Sequence, residues 1–122
     1  MEAKKVENEH LRGDIFYANL DSAIGSEQGG TRPVVIVQND IGNKFANTVI
    51  IVPLTKKIDR KVKLPTHIVI KKFKGIKYDS TALTEQVRVI DKRRLIRKVG
   101  ALQEKTIKKL NKALAIAIGI KE

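Results

Sequence analysis

The feature that most limits the possible folds is a series of short apolar runs, each ended by turn-forming residues. Residues 34–37 (VVIV) are a continuous β-branched run, typical of a strand buried on both faces. Residues 48–54 (TVIIVPL) predict a second buried strand, which Pro53 is expected to end or to bulge. The intervening residues 39–43 (NDIGN) have the composition of a turn. Further short strands are predicted over residues 14–20, 66–70, 81–83 and 87–90. Five or six strands of this length predict a small β-barrel.

The C-terminal stretch changes to a helical period, with apolar residues three to five positions apart and lysines largely between them. The apolar positions are Leu102, Ile107, Leu110, Leu114 and Ala117 or Ile118. Gly119 is the expected C-terminal stop. Apolar residues beyond Leu114 occur on more than one side, so they either cover the barrel or face a second subunit. The predicted fold class is therefore mainly β with α, a small barrel followed by an amphipathic helix.

The chain length fits one domain, because 122 residues bury a single core but do not divide into two. Residues 1–10 are charged and lack periodicity, and we interpret them as a flexible extension preceding a domain over residues 11–122. The absence of cysteine excludes disulfides and thiolate nucleophiles. No secretion signal or membrane-spanning run is recognisable, so a cytoplasmic location is expected.

The net charge of +12, from 25 Lys and Arg against 13 Asp and Glu, indicates a polyanionic partner. A field of this sign adds a salt-dependent term to nucleic-acid affinity. The alternative is a lysine-rich composition that only keeps the surface soluble. Charge alone does not decide between them.

Several kinds of catalytic site are disfavoured by residue type. The acidic residues are scattered, and the histidines are His10, in the extension, and His67, in a predicted strand. We therefore expect no catalytic metal and no cofactor, and we interpret His67 as a structural strand residue rather than a catalyst. Residues 25–30 (GSEQGG) match neither the P-loop nor the dinucleotide glycine pattern.

Arg32 stands where the glycine-rich loop enters the strand at residues 34–37, a position that suits a catalytic side chain. The alternative is a solvated charge at the rim of the barrel. Residue type and position leave both interpretations open.

Four segments together resemble the MazF/PemK family of toxin endoribonucleases of type II toxin–antitoxin systems. They are residues 12–15 (RGDI), 25–40 (GSEQGGTRPVVIVQND), 53–55 (PLT) and 83–95 (LTEQVRVIDKRRL). The resemblance covers roughly residues 11 to 120. It implies an SH3-like barrel shared with the toxin CcdB, a homodimer, and metal-independent cleavage of single-stranded mRNA at short sequences. It also implies a cognate antitoxin whose disordered acidic segment neutralises the toxin.

The resemblance assigns roles to individual residues. Arg32 matches the family's catalytic arginine, Thr55 matches its catalytic threonine, and Glu27 is a matched carboxylate with an assisting role. The implied RNA-binding residues are Ser26, Thr66, Ser80, Glu85 and Gln86. This chemistry is reasonable because a ribose 2′-OH attacks its own phosphate, which leaves the protein to position the strand and stabilise charge. A guanidinium donates two parallel hydrogen bonds to phosphate, and a hydroxyl adds another.

Two alternatives of other classes remain at this point: a non-catalytic toxin like CcdB that poisons a protein such as DNA gyrase, and an RNA-binding module without activity. The intact segments around Arg32 and Thr55 favour the nuclease. A basic run after Thr55 either guides the RNA backbone or forms a solvated loop. Its residues are Lys56, Lys57, Arg60, Lys61 and Lys63.

Overall fold

The computed structural model describes residues 10–56 and 64–121. Almost all of the predicted N-terminal extension, and Lys57, Arg60, Lys61 and Lys63 of the basic run, lie outside these residues. The strands are β1 (Asp14–Asn19), β2 (Thr31–Ile36), β3 (Thr48–Thr55), β4 (His67–Ile70), β5 (Ser80–Leu83), β6 (Arg88–Asp91) and β7 (Leu95–Ala101). The helices are α1 (Asp40–Phe45) and α2 (Glu104–Ala117), and single 3-10 turns cover Thr84–Gln86 and Lys92–Arg94. No helix in the described ranges has the length and apolar character needed to cross a membrane.

The strands form one antiparallel sheet in the order β4-β5-β3-β2-β1-β7, with β6 paired to β3. The two edges of the sheet approach each other, because the loop that follows β4 packs against β7. A Cβ on Gly75 would stand 1.8 Å from the Val99 carbonyl oxygen, and one on Gly100 would stand 2.3 Å from the Phe73 ring. The sheet therefore curls into the small barrel that the strand pattern predicts.

Apolar side chains fill both faces of the central strands, as the β-branched runs predict. One cluster includes Ile15, Val35, Val52, Leu54 and Leu110, and the other includes Phe16, Val34, Ile36, Val49 and Ile51. Alternate residues of β2 thus contribute to opposite clusters. Because both of their faces are buried, β2 and β3 are held firmly in place. The candidate site lies at the start of β2 and the end of β3.

Helix α2 packs on β4 and on the 3-10 turn at Thr84–Gln86, through its buried residues Leu110 and Ala113. It ends at the predicted stop, because Gly119 has a φ of +77°. The Gly119 and Ile120 amides donate to the Ile116 and Ala115 carbonyls at 3.2 and 2.8 Å, which is a Schellman motif.

Two local predictions are wrong, and each has a physical reason. Residues 39–43 do not form a turn: Asn39 caps α1, with its Oδ1 accepting from the Gly42 amide at 2.8 Å. Pro53 neither ends nor interrupts β3. Along one side of β3, β6 pairs up to Ile51 and β5 from Leu54, so the missing N–H of Pro53 falls where the partner changes.

Strand β7 is the element that the sequence did not reveal. Its residues are mostly exposed or half-buried, and Arg97 and Lys98 interrupt any apolar alternation. Its pairing with β1 also contains two register shifts. Pairing with β1, rather than its own side-chain pattern, holds this segment extended.

Candidate active site

Arg32 lies at the beginning of β2 and is held by two backbone carbonyls. Its Nε donates to the Gly29 carbonyl at 2.9 Å, and its Nη1 donates to the Leu54 carbonyl at 3.3 Å. The side chain is half-buried. Since a guanidinium carries five N–H donors, these bonds orient the group and leave three donors for an anion. The guanidinium is therefore fixed between the glycine-rich loop and the end of β3.

Thr55 is the last residue of β3 and is also half-buried. It follows Leu54 directly, so the carbonyl that Arg32 holds belongs to the peptide bond of Thr55. On the other side of β3, Thr55 pairs with Thr81 of β5. The fold thus brings together two residues that are 23 positions apart in the sequence.

The loop over residues 21–30 connects β1 to β2 and carries Glu27. The Glu27 Oε1 accepts from the Ile24 amide at 2.8 Å, and the Glu27 amide donates to the Ile24 carbonyl at 3.2 Å. These two bonds close a turn that presents an exposed carboxylate. At the base of the loop, the Leu20 amide donates to the Gly30 carbonyl at 2.9 Å.

Gln86 connects this loop to the 3-10 turn at Thr84–Gln86. Its Oε1 accepts from the Gln28 amide at 2.8 Å, and its Nε2 donates to the Ser26 carbonyl at 3.1 Å. Both ends of the side-chain amide are therefore bonded to loop backbone. The resemblance assigns Gln86 to RNA binding; in the structure its side chain holds the loop whose Gly29 carbonyl anchors Arg32.

An open groove of about 630 Å³ lies between the loop and the turn. Its lining residues are Ser22, Ser26, Glu27, Gln28, Glu85, Gln86, Val87 and Arg88. Four of the residues assigned from the sequence, Ser26, Glu27, Glu85 and Gln86, therefore share one groove. Ser22 and Arg88 line it too: Ser22 lies outside the four matching segments, and Arg88 lies within residues 83–95 but had no assigned role.

His67 lies at the edge of this groove, against Glu85. Its Nε2 is 2.8 Å from the Glu85 Oε2, and the two side chains are 26% and 38% exposed. Burial of Glu85 favours its neutral form, but hydrogen bonds from His67, the backbone and Thr66 together lower the pKa of Glu85. His67 thus contacts a groove residue, in addition to the structural role expected from the sequence. The two residues are 18 positions apart, so only the strand pairing reveals the contact.

Four assigned residues do not line the groove: Arg32 and Thr55, at the neighbouring strand ends, and Thr66 and Ser80. Thr66 reaches it indirectly, through its hydrogen bond to Glu85. Ser80 is 3% exposed at the start of β5, and its hydroxyl donates to the Tyr78 carbonyl at 3.3 Å. Close by, Lys56 stands over the Tyr78 ring at 5.3 Å, which places one residue of the basic run beside the end of β3.

The donors around Arg32 suit an anion better than a metal. Within residues 10–56 and 64–121, no three His, Cys, Asp or Glu side chains converge as metal ligands would. A fixed guanidinium and a strand-end threonine lie side by side, and the loop that holds the guanidinium also forms one wall of a groove lined by polar groups. Such an arrangement can bind a phosphate and hold the groups that flank it.

Comparisons with known proteins agree with this geometry. The family model of PemK-like, MazF-like toxins of type II toxin–antitoxin systems matches residues 11–118. Endoribonuclease EndoA of Bacillus subtilis is 46% identical over 110 residues, which is 89% of this chain and 94% of that protein. Endoribonuclease MazF of Staphylococcus saprophyticus is 48% identical over 110 residues, covering 89% and 91%.

Solved structures share the fold at lower identity. A mycobacterial endoribonuclease in complex with its cognate antitoxin has a TM-score of 0.77 at 24% identity, covering 93% of this chain and 98% of that one. MazF from Deinococcus radiodurans has a TM-score of 0.77 at 19% identity, covering 90% and 96%. These comparisons confirm the resemblance inferred from the four sequence segments. The chain belongs to the PemK-like, MazF-like family of toxins of type II toxin–antitoxin systems.

Proposed function

We propose that this protein is the toxin of a toxin–antitoxin pair and an endoribonuclease that cuts single-stranded mRNA at specific short sequences without a metal ion. The observation that carries the proposal is the hydrogen bond from Arg32 to the Leu54 carbonyl, because it places the guanidinium beside Thr55. The family membership and the two relatives named endoribonucleases support the activity. They give no support to the non-catalytic alternative.

In the proposed reaction, the 2′-oxygen of one nucleotide forms a bond to the adjacent phosphorus, and the bond from phosphorus to the 5′-oxygen breaks. The 2′-hydroxyl loses its proton, the 5′-oxygen gains one, and a 2′,3′-cyclic phosphate results. Arg32 donates to the nonbridging oxygens through the N–H groups that the two carbonyls leave available. Thr55 adds a hydroxyl donor from a rigid strand end. Glu27 is the carboxylate that assists proton transfer from the 2′-hydroxyl.

Bases on either side of the scissile phosphate occupy the groove. Ser26, Glu85 and Gln86 present hydroxyl, carboxylate and amide groups there, which donate to and accept from base edges. Thr66 orients Glu85, and Ser80 supports the backbone at Tyr78, before the start of β5. Sequence specificity follows from these polar groups, since a phosphate contact carries no base information.

Two macromolecular partners complete the proposal. The chain acts in the cytoplasm as a homodimer, and a cognate antitoxin neutralises it with an acidic segment that complements the +12 charge. The C-terminal end of α2 and the residues that follow it support the dimer, because Ile116, Ile118 and Ile120 are 47%, 60% and 56% exposed. Apolar exposure of this extent at one helix end is typical of a protein interface. Light scattering of the parent and of Ile118→Asp tests it: a dimer that becomes a monomer is expected, and a monomeric parent contradicts it.

The activity is tested by incubating purified protein with a long single-stranded RNA in EDTA. Discrete fragments are expected from the parent, and almost none from Arg32→Ala or Thr55→Val. Thr48→Val is a matched control, because Thr48 is an exposed residue at the opposite end of the same strand. Retardation of the RNA without cutting would instead support a binding module, and Arg32→Ala cutting at the parental rate would overturn the assignment of the site.

A further inference from the structure

Helix α2 carries four exposed lysines along one side. Lys105, Lys108, Lys109 and Lys112 are spaced i, i+3, i+4 and i+7, so they fall within an arc of about 100° and extend for about 10 Å along the axis. The buried residues Leu110 and Ala113 face the barrel instead. The four lysines, which we call the lysine stripe, form a continuous cationic surface.

The lysine stripe has no carboxylate partner in the part of the chain that the structure describes, where every ion pair within 4 Å involves other residues. Like charges at i+3 and i+4 destabilise a helix. The stripe contains four such pairs. Glu104, four residues before Lys108, is the one carboxylate of this helix within the described residues and makes no ion pair within 4 Å, so the stripe keeps a net positive charge and is suited to an external anion.

The C-terminal end of the stripe lies near the groove. Helix α2 packs on the 3-10 turn at Thr84–Gln86, and the fully buried Thr84 lies against Ala113, which directly follows Lys112 in the chain. The next two residues after Thr84 are Glu85 and Gln86, which line the groove. The helix that carries the stripe therefore packs against the groove wall, which leaves the stripe within reach of an RNA strand that extends beyond the groove.

We propose that the lysine stripe is a second RNA-binding surface, which takes the phosphate backbone of the strand flanking the recognised sequence. The inference rests on the proposed function, because it needs RNA in the groove. A flexible single strand with one charge per nucleotide complements a row of lysines that lacks hydrogen-bond acceptors for base reading. The stripe thus adds affinity for long RNA without adding sequence specificity.

The test measures binding of uncleavable 2′-O-methyl RNA, in a short form that fills the groove and in a long form with flanks. The variant combines Lys105→Gln, Lys108→Gln, Lys109→Gln and Lys112→Gln, since glutamine has a helix propensity close to that of lysine. For two to four lost contacts, the slope of log affinity against log salt for the long RNA should flatten by about 1.4–2.8. Binding of the short RNA should be unchanged, and circular dichroism should show the parental helix content.

A charge-matched control replaces the exposed lysines of the loop after β4 with glutamine. These are Lys71, Lys72, Lys74 and Lys77. The slope for this control should change by less than about 0.7, the value of one contact. Equal flattening in both variants would overturn the proposal in favour of net charge alone. An unchanged slope in the stripe variant, together with lost binding of a polyglutamate peptide, would overturn it in favour of an acidic protein partner. The cleavage assay in EDTA reports separately on the proposed function.

Discussion

Replacing Arg32 with lysine separates the role of charge from the role of geometry at the proposed site. Two of the five guanidinium N–H donors hold the Gly29 and Leu54 carbonyls, at 2.9 and 3.3 Å, and three remain for phosphate. A lysine ammonium has three donors on a flexible stem. If two of them bonded to the Gly29 and Leu54 carbonyls, a single donor would remain for phosphate. The variant keeps its positive charge but presents two fewer donors to the nonbridging oxygens.

The size of the effect follows from that count. Loss of one preorganised donor to a developing oxyanion lowers kcat by about 10²–10³, or about 2.7–4 kcal/mol. The retained charge offsets part of the loss of two donors, so we expect kcat of Arg32→Lys to fall by at least about 10². KM should change much less, because the groove that binds the bases is intact.

The assay is single-turnover cleavage of a labelled RNA in EDTA, with thermal unfolding measured in parallel. Arg12→Lys is the matched control, because Arg12 also holds a carbonyl through its Nε, that of Val37 at 2.9 Å, just beyond the opposite end of β2 from Arg32. The control should cut at the parental rate. A folded Arg32→Lys protein with a kcat within about threefold of the parent would refute the donor count, since the calculation requires a loss of 10² or more.

Three further predictions concern neighbouring residues. Gln86→Ala removes both bonds to the loop and should lower kcat about tenfold, for about 1.4 kcal/mol of lost positioning, with faster amide exchange over residues 26–29. A rise in KM alone, with unchanged exchange, would mean that Gln86 only contacts RNA. Thr81→Val and Thr84→Val should have opposite effects on the free energy of unfolding measured in urea. In the described structure the buried Thr81 hydroxyl has no hydrogen-bond partner, so its removal should stabilise by about 1–3 kcal/mol. The Thr84 hydroxyl donates to the Thr66 carbonyl at 2.6 Å, so its removal should destabilise by about 1 kcal/mol, and effects of the same sign would contradict the assignment. Burial alone would raise the pKa of Glu85, but its hydrogen bonds lower that pKa below the usual 4.5. The ionised carboxylate therefore stabilises the folded protein fully above pH 4.5, and this stabilisation is lost as the pH falls through the pKa of Glu85 in the folded state. Acid unfolding of Glu85→Gln should therefore be shallower below pH 4.5, and a profile identical to the parent's would exclude this linkage.

The sequence could predict those parts of the fold that depend on local pattern. The β-branched runs of β2 and β3 are buried on both faces, and Gly119 ends α2 where the helical period stops. Strand β7 was not predictable, because its extended form depends on pairing with β1 rather than on its own alternation. The same limit explains α1, where turn-forming residues serve as a helix cap.

The candidate site shows a similar division. Arg32 and Thr55 were found from short intact segments, and the structure brings them to one peptide bond. The bonds from Gln86 to the loop span 58 and 60 positions, and no local signal reports them. The contact between His67 and Glu85 likewise arises from the pairing of β4 with β5. Residues that act through such long-range contacts can be identified from the folded structure but not from the sequence.

The most direct test of the proposed chemistry is the identity of the RNA ends. A defined RNA is cut in EDTA and its fragments are weighed by mass spectrometry, beside the same RNA with one 2′-deoxy nucleotide on the 5′ side of the scissile phosphate. We predict a 2′,3′-cyclic phosphate on one fragment, a 5′-hydroxyl on the other, and no cut in the deoxy substrate. Fragments ending in a 3′-hydroxyl and a 5′-phosphate, or cleavage of the deoxy substrate, would contradict attack by the ribose 2′-hydroxyl.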